Sequence, residues 1–95
     1  MVEKTPYREI PVSSGKTDVV IRRFDEETKT EELKWHWDEE KRIIYPLHET
    51  DWQIQLDNQL PRNIDSEITI QKGEWHRLIK GSGSLEVMIE KIKDI

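Results

Sequence analysis

Apolar and polar residues alternate with a period of two along most of this chain, the spacing of half-buried β-strands. Leu33, Trp35 and Trp37 are set against Lys34, His36 and Asp38; Trp52, Ile54 and Leu56 against Gln53, Gln55 and Asp57; Leu85, Val87 and Ile89 against Glu86, Met88 and Glu90. A helix through Leu33–Trp37 would continue its apolar stripe three and four residues beyond Trp37, but those positions hold Glu40 and Lys41. The spacing therefore predicts a strand there, with Trp35, Trp37, Ile54, Leu56, Ile70 and Val87 in the core.

Further strands are predicted around Tyr7–Val12, Val19–Phe24, Arg42–Leu47, Ile68–Ile70 and Trp75–Ile79. Pro11 has no amide hydrogen to give a ladder, which puts the first strand on a sheet edge. Turn chemistry separates the runs: Ser13-Ser14-Gly15-Lys16, Asp38-Glu39-Glu40-Lys41, Asp57-Asn58-Gln59-Leu60-Pro61, Lys72-Gly73 and Gly81-Ser82-Gly83-Ser84. The acidic stretch Asp25–Glu32 is one helical turn or a solvated connector. Seven or eight short strands in 95 residues imply one all-β domain over 1–95, a small barrel or sandwich. Glu86, Glu90, Lys91 and Lys93 are expected on the outer face of the last strand.

Composition narrows the function classes. With 15 basic and 20 acidic residues the net charge is −5, and no basic tail stands out. That speaks against nucleic acid as a partner. Absence of cysteine excludes disulfides and thiolate metal sites. The chain shows neither the apolar core of a signal peptide nor a membrane span, so a soluble cytoplasmic protein is expected. Gly81-Ser82-Gly83 has no helix after it and reads as a hairpin turn, not a phosphate loop.

The sharpest local feature is Gln71-Lys72-Gly73-Glu74-Trp75-His76-Arg77, a glycine turn delivering a histidine onto the start of a strand. With His36-x-Asp38, it gives residues 33–89 a resemblance to the cupins, small jelly-roll barrels. In the slots of the second cupin motif stand Asp65, Gln71, Gly73 and His76, of which the last two match. In those of the first stand His36, Asp38, Arg42 and Glu49, of which only His36 matches. The wording of Trp52–Asn58 and His76–Gly81 also resembles small cupin-like proteins, some from tailed phages.

That resemblance implies an all-β, cupin-like jelly-roll fold and a place where Fe, Mn, Zn or Ni would be held. Aligned this way the chain offers His36, Asp38 and His76 as ligands, with the Arg42 guanidinium where a glutamate is expected and where it would repel a cation. Two histidines and one carboxylate suffice for an open metal site. His76 also reads as a half-buried histidine hydrogen-bonded at a strand start, and Asp38 as turn chemistry.

Because the glutamate and one histidine are missing, the leading expectation is a non-enzymatic binding or assembly module with a degenerate metal site and no cofactor. The alternative is a metal-dependent oxygenase or isomerase using His36, Asp38 and His76. A third is a small-molecule or sugar binder whose pocket uses Gln53, Gln55, Trp75 and His76, if the glutamine face points inward. A homodimer is expected through residues 7–24, where Val19, Val20, Ile21 and Phe24 supply apolar surface and Arg22 and Arg23 rim it.

Overall fold

The structure, a computed structural model, describes residues 6–13 and 17–93; the predicted turn at Ser14–Lys16 lies outside them. Eight strands are found among these residues: β1 (Arg8–Ser13), β2 (Thr17–Phe24), β3 (Lys41–Pro46), β4 (Gln53–Leu56), β5 (Arg62–Asn63), β6 (Ile68–Ile70), β7 (His76–Ile79) and β8 (Leu85–Ile92). They form two antiparallel sheets, one ordered β1-β2-β8-β3-β6 and one ordered β5-β4-β7. Among the described residues helix is confined to a 3-10 turn at Thr30–Glu32, within the predicted acidic connector. No helix of the described residues is long and apolar enough to cross a membrane.

Strand periodicity decides what lies between the sheets. On β2 the inward positions are Val20, Arg22 and Phe24, and on β8 Leu85, Val87 and Ile89, all buried. The β2–β8 ladder keeps these faces in phase by pairing Val20 with Ile89, Arg22 with Val87 and Phe24 with Leu85. From the smaller sheet and its flanks come Trp52, Ile54, Leu56 and Ile64, which join one apolar cluster with Ile44, Ile68 and Ile70. Trp52 is fully buried, its ring 5.8 Å from that of Phe24 and its Nε1 donating to Gly83 O at 3.2 Å. Burial of a side chain this large contributes a major share of the apolar stabilisation.

As the proline predicts, β1 is an edge strand, and its pairing with β2 slips between Pro11 and Ser13. The loop before β8 is held by close approach. Asp51 accepts from Ser82 N at 2.8 Å and from Ser82 Oγ at 2.9 Å. A Cβ on Gly81 would fall against Asp51 Oδ1 and 2.6 Å from Trp52 N, so only glycine fits there.

Four expectations are corrected. Leu33–Trp37 is not a strand: it touches a sheet only through an isolated bridge between His36 and His76. Trp35 and Trp37 are 39% and 48% exposed. The alternation is real, but its polar phase faces inward, toward a cavity, while Trp35 lies over Arg77, Cζ to ring centroid 4.9 Å. Lys91 follows Ile89 on the inward face of β8 and lines the same cavity. Arg22, expected at a surface rim, is buried.

Candidate metal centre and cavity

Two local devices assemble the site. The backbone bridge runs His36 N to His76 O at 3.0 Å and His76 N to His36 O at 2.9 Å, setting the two histidines side by side with ring centroids 4.2 Å apart. Gly73, at φ +76°, donates its N–H to Asp38 O at 2.9 Å, so the glycine turn that launches β7 also anchors Asp38. His36, Asp38 and His76 thereby present one ligand atom each, all within 4.8 Å of one another.

The hydrogen bonds fix which imidazole atoms are available. His36 Nδ1 lies 3.0 Å from Lys34 O, and His76 Nδ1 lies 2.9 Å from Glu74 O. A carbonyl oxygen only accepts, so each Nδ1 carries the proton and donates, and each Nε2 is the nitrogen left to bind a cation. Burial lowers the His36 pKa; the Lys34 carbonyl works against this, as does Asp38, but the net shift is downward and favours the neutral ligand form.

Asp38 is 13% exposed, and its two oxygens have different surroundings. Oδ1 lies 3.3 Å from Arg42 Nη2. Oδ2 is buried with no hydrogen-bond partner, 3.3 Å from His76 Nε2. Burial works to raise the carboxyl pKa, but His76 and Arg42 outweigh it and hold Asp38 below its ordinary value, so the carboxylate is charged. A buried carboxylate oxygen with no hydrogen-bond partner, grouped within 4.8 Å of ligand atoms from two histidines, is the surrounding that a bound cation relieves. These residues fit a divalent metal.

Arg42 does not spoil that fit. Its Nε and Nη2 donate to Glu40 Oε1 at 3.0 and 2.8 Å. Beside the imidazoles, the side chains of Asp38, Glu40 and Arg42 together carry one net negative charge. The guanidinium orients Oδ1 and leaves Oδ2 for a cation, and its ion pairs with Asp38 and Glu40 offset the repulsion expected from its position.

The site opens on a cavity of about 450 Å³ between the sheets, lined largely by aliphatic side chains such as Ile44, Ile54, Ile70, Val87 and Ile89. His76 lines it with His36 and Asp38, whereas Gln53, Gln55 and Trp75 do not. Gln53 and Gln55 alternate with buried Ile54 and Leu56, and so lie on the outer face of β4, where Gln53 Nε2 donates to Asn63 Oδ1 and Gln55 Nε2 to Gln59 O. Trp75 is 46% exposed.

Four charged groups in the wall were given no part in the site from sequence: Glu9, Arg22, Lys34 and Lys91. Arg22 donates Nε and Nη2 to Glu9 Oε2 at 2.9 and 2.6 Å, and its Cζ stacks 3.8 Å over the Tyr7 ring. Lys91 Nζ lies 3.6 Å from Glu9 Oε1. The signal was the strand phase: Arg22 lies between Val20 and Phe24, and Lys91 two residues beyond Ile89.

No protein-family sequence model matches the chain, and no curated protein sequence matches it significantly. Solved structures do. The DMSP lyase DddQ from Ruegeria pomeroyi superposes with a TM-score of 0.78 at 9% identity, covering 95% of this chain and 48% of the lyase. A cupin domain from Bordetella pertussis superposes with a TM-score of 0.68 at 11% identity, covering 99% of this chain and 100% of that domain. The fold is that of the cupins. The Co(II) form of HppE with Tris is a further cupin-like neighbour, with a TM-score of 0.69 at 10% identity over 96% of this chain and 56% of HppE. The chain spans about half the length of the lyase.

Proposed function

We propose that this chain is a metal-dependent small-molecule protein, binding one divalent cation through His36 Nε2, Asp38 Oδ2 and His76 Nε2 beside the cavity. The observation that carries this reading is the buried, unpartnered Asp38 Oδ2 beside the Nε2 of a histidine whose Nδ1 is committed to Glu74 O. The cobalt-containing HppE neighbour supports the reading by analogy of fold. It ranks the metal-dependent alternative above the non-enzymatic module expected first from sequence.

Three protein ligands leave coordination positions for a ligand, and the cation would supply Lewis acidity, polarising an oxygen bound to it. The chain's own groups do the rest. The Lys34 and Glu74 carbonyls orient the imidazoles, Arg42 holds the carboxylate, and the aliphatic walls exclude water from what enters. Elemental analysis of protein purified without chelator tests the site, together with Co²⁺ titration followed by visible absorption. One ion per chain in the wild type and none in His76→Ala is the expected outcome; metal retained by a folded His76→Ala would refute the ligand set.

The self-association expected from residues 7–24 is proposed as well, because Ile10 and Val12 on β1 are 63% and 54% exposed. Ile10 pairs with Ile21, and Ile21 with Met88, extending the apolar row across the outer sheet face. Sedimentation equilibrium should give a dimer that Ile10→Lys dissociates; a monomeric wild type would end this proposal.

A further inference from the structure

In a chain of net charge −5, more cationic than anionic side chains line the cavity. Four cationic side chains, Arg22, Lys34, Arg42 and Lys91, line it against two anionic ones, Glu9 and Asp38. Neighbouring inward positions are aliphatic, so this charge is a departure from the packing rule of the barrel interior. It is also continuous: Lys91 is the cross-strand partner of Arg42 and reaches Glu9, which in turn holds Arg22. Glu9 takes Nε and Nη2 of Arg22, Glu40 takes Nε and Nη2 of Arg42, and among the described residues the Nη1 of each is bonded to no acceptor. Stacking on Tyr7 fixes the plane of the Arg22 guanidinium.

We propose that the wall formed by Arg22 and Lys91 is a carboxylate-binding subsite, and that the cavity takes a small organic acid with an apolar body. The carboxylate sits against Lys91 Nζ and the uncommitted donors of Arg22, displacing part of Glu9's hold on them. The body lies on Ile44, Ile70 and Ile89. This extends the metal-site reading to a second wall of the same cavity, and rests on it only for which end of the ligand meets the cation. A purely structural role, with Arg22 and Glu9 stapling β1 to β2, would leave the cavity indifferent to a ligand's charge.

Calorimetric titration of the chelator-treated protein separates the two roles, using hexanoate, its neutral isostere hexanamide, acetate and inorganic phosphate as probes. Hexanoate should bind about tenfold or more tightly than hexanamide, the discrimination expected of charge-assisted hydrogen bonds in a largely apolar cavity. Acetate and phosphate, lacking the apolar body, should bind more weakly still. Lys91→Met should reduce the preference for hexanoate over hexanamide, and Glu9→Gln, which removes the competing carboxylate, should tighten hexanoate binding. Equal binding of acid and amide overturns the proposal, as does undetectable hexanoate binding, phosphate or acetate binding as tightly as hexanoate, or a folded Lys91→Met that binds hexanoate unchanged. Metal uptake is read separately in the same preparations, so loss of the metal reading would leave this result standing, and the reverse.

Discussion

Two regions of the barrel interior use the same strand periodicity to opposite ends. Trp52 and Leu85 are fully buried and take no part in the cavity wall, and Phe24 and Ile64, also buried, stand between them and the cavity. Around His76 the inward positions of β3, β8 and the 36–38 segment carry Arg42, Lys91, His36 and Asp38, and the space stays open at about 450 Å³. Packed apolar groups stabilise by filling volume, whereas charged groups must each find a partner and hold their neighbours off. The difference teaches where stability and function divide: one region is built to be dry and full, the other to receive something.

The largest expected effect breaks the full region. Trp52→Ala removes a fully buried indole and its bond to Gly83 O, and should cost about 3–5 kcal/mol in urea unfolding. A loss below about 1 kcal/mol would mean that Trp52 is not the keystone described. Gly81→Ala attacks the same region through the backbone, forcing Asp51 and Trp52 N apart, with an expected loss of about 1–3 kcal/mol by thermal denaturation. An unchanged midpoint would show that the Asp51–Ser82 loop yields freely.

The open region should respond to pH where the full one does not. Burial works to raise the Glu9 pKa, but Arg22 and Lys91 outweigh it and the net shift is downward. The stabilisation from ionised Glu9 is therefore fully present above its unfolded value of about 4.5 and is lost as the pH falls through the lower folded value. Glu9→Gln should cost about 1–2 kcal/mol at neutral pH, less than a fully buried pair because Glu9 is partly exposed. Its acid unfolding limb should be shallower than the wild type's. Parallel limbs in the two proteins would show that the ion pair contributes nothing to folding.

The sequence made the full region easier to read than the open one, and for a physical reason. Ile54, Leu56, Ile70 and Val87 obey the rule that apolar groups leave water, and all are buried as the alternation predicts. The same rule misplaced Trp35, Trp37 and Lys91, because a cavity inverts it: at a binding site the polar phase turns inward and the apolar phase is left outside. His36, Asp38 and His76 were legible as a set through the cupin resemblance. The role of Arg42 was not, since its partner Glu40 sits two residues away in a loop whose geometry no periodicity encodes. Glu9 and Arg22 meet only through the register of β1 on β2.

The most direct test of the account is whether the open region gains stability from a cation that the full region does not need. Urea unfolding of the wild type and of Asp38→Asn should be compared in chelator and in Co²⁺ at ten times its dissociation constant. The wild type should gain about 1.4 kcal/mol from linkage, and Asp38→Asn nothing, since it lacks the carboxylate oxygen that the structure leaves unpartnered. No gain in the wild type, or an equal gain in both proteins, would contradict a metal centre at His36, Asp38 and His76.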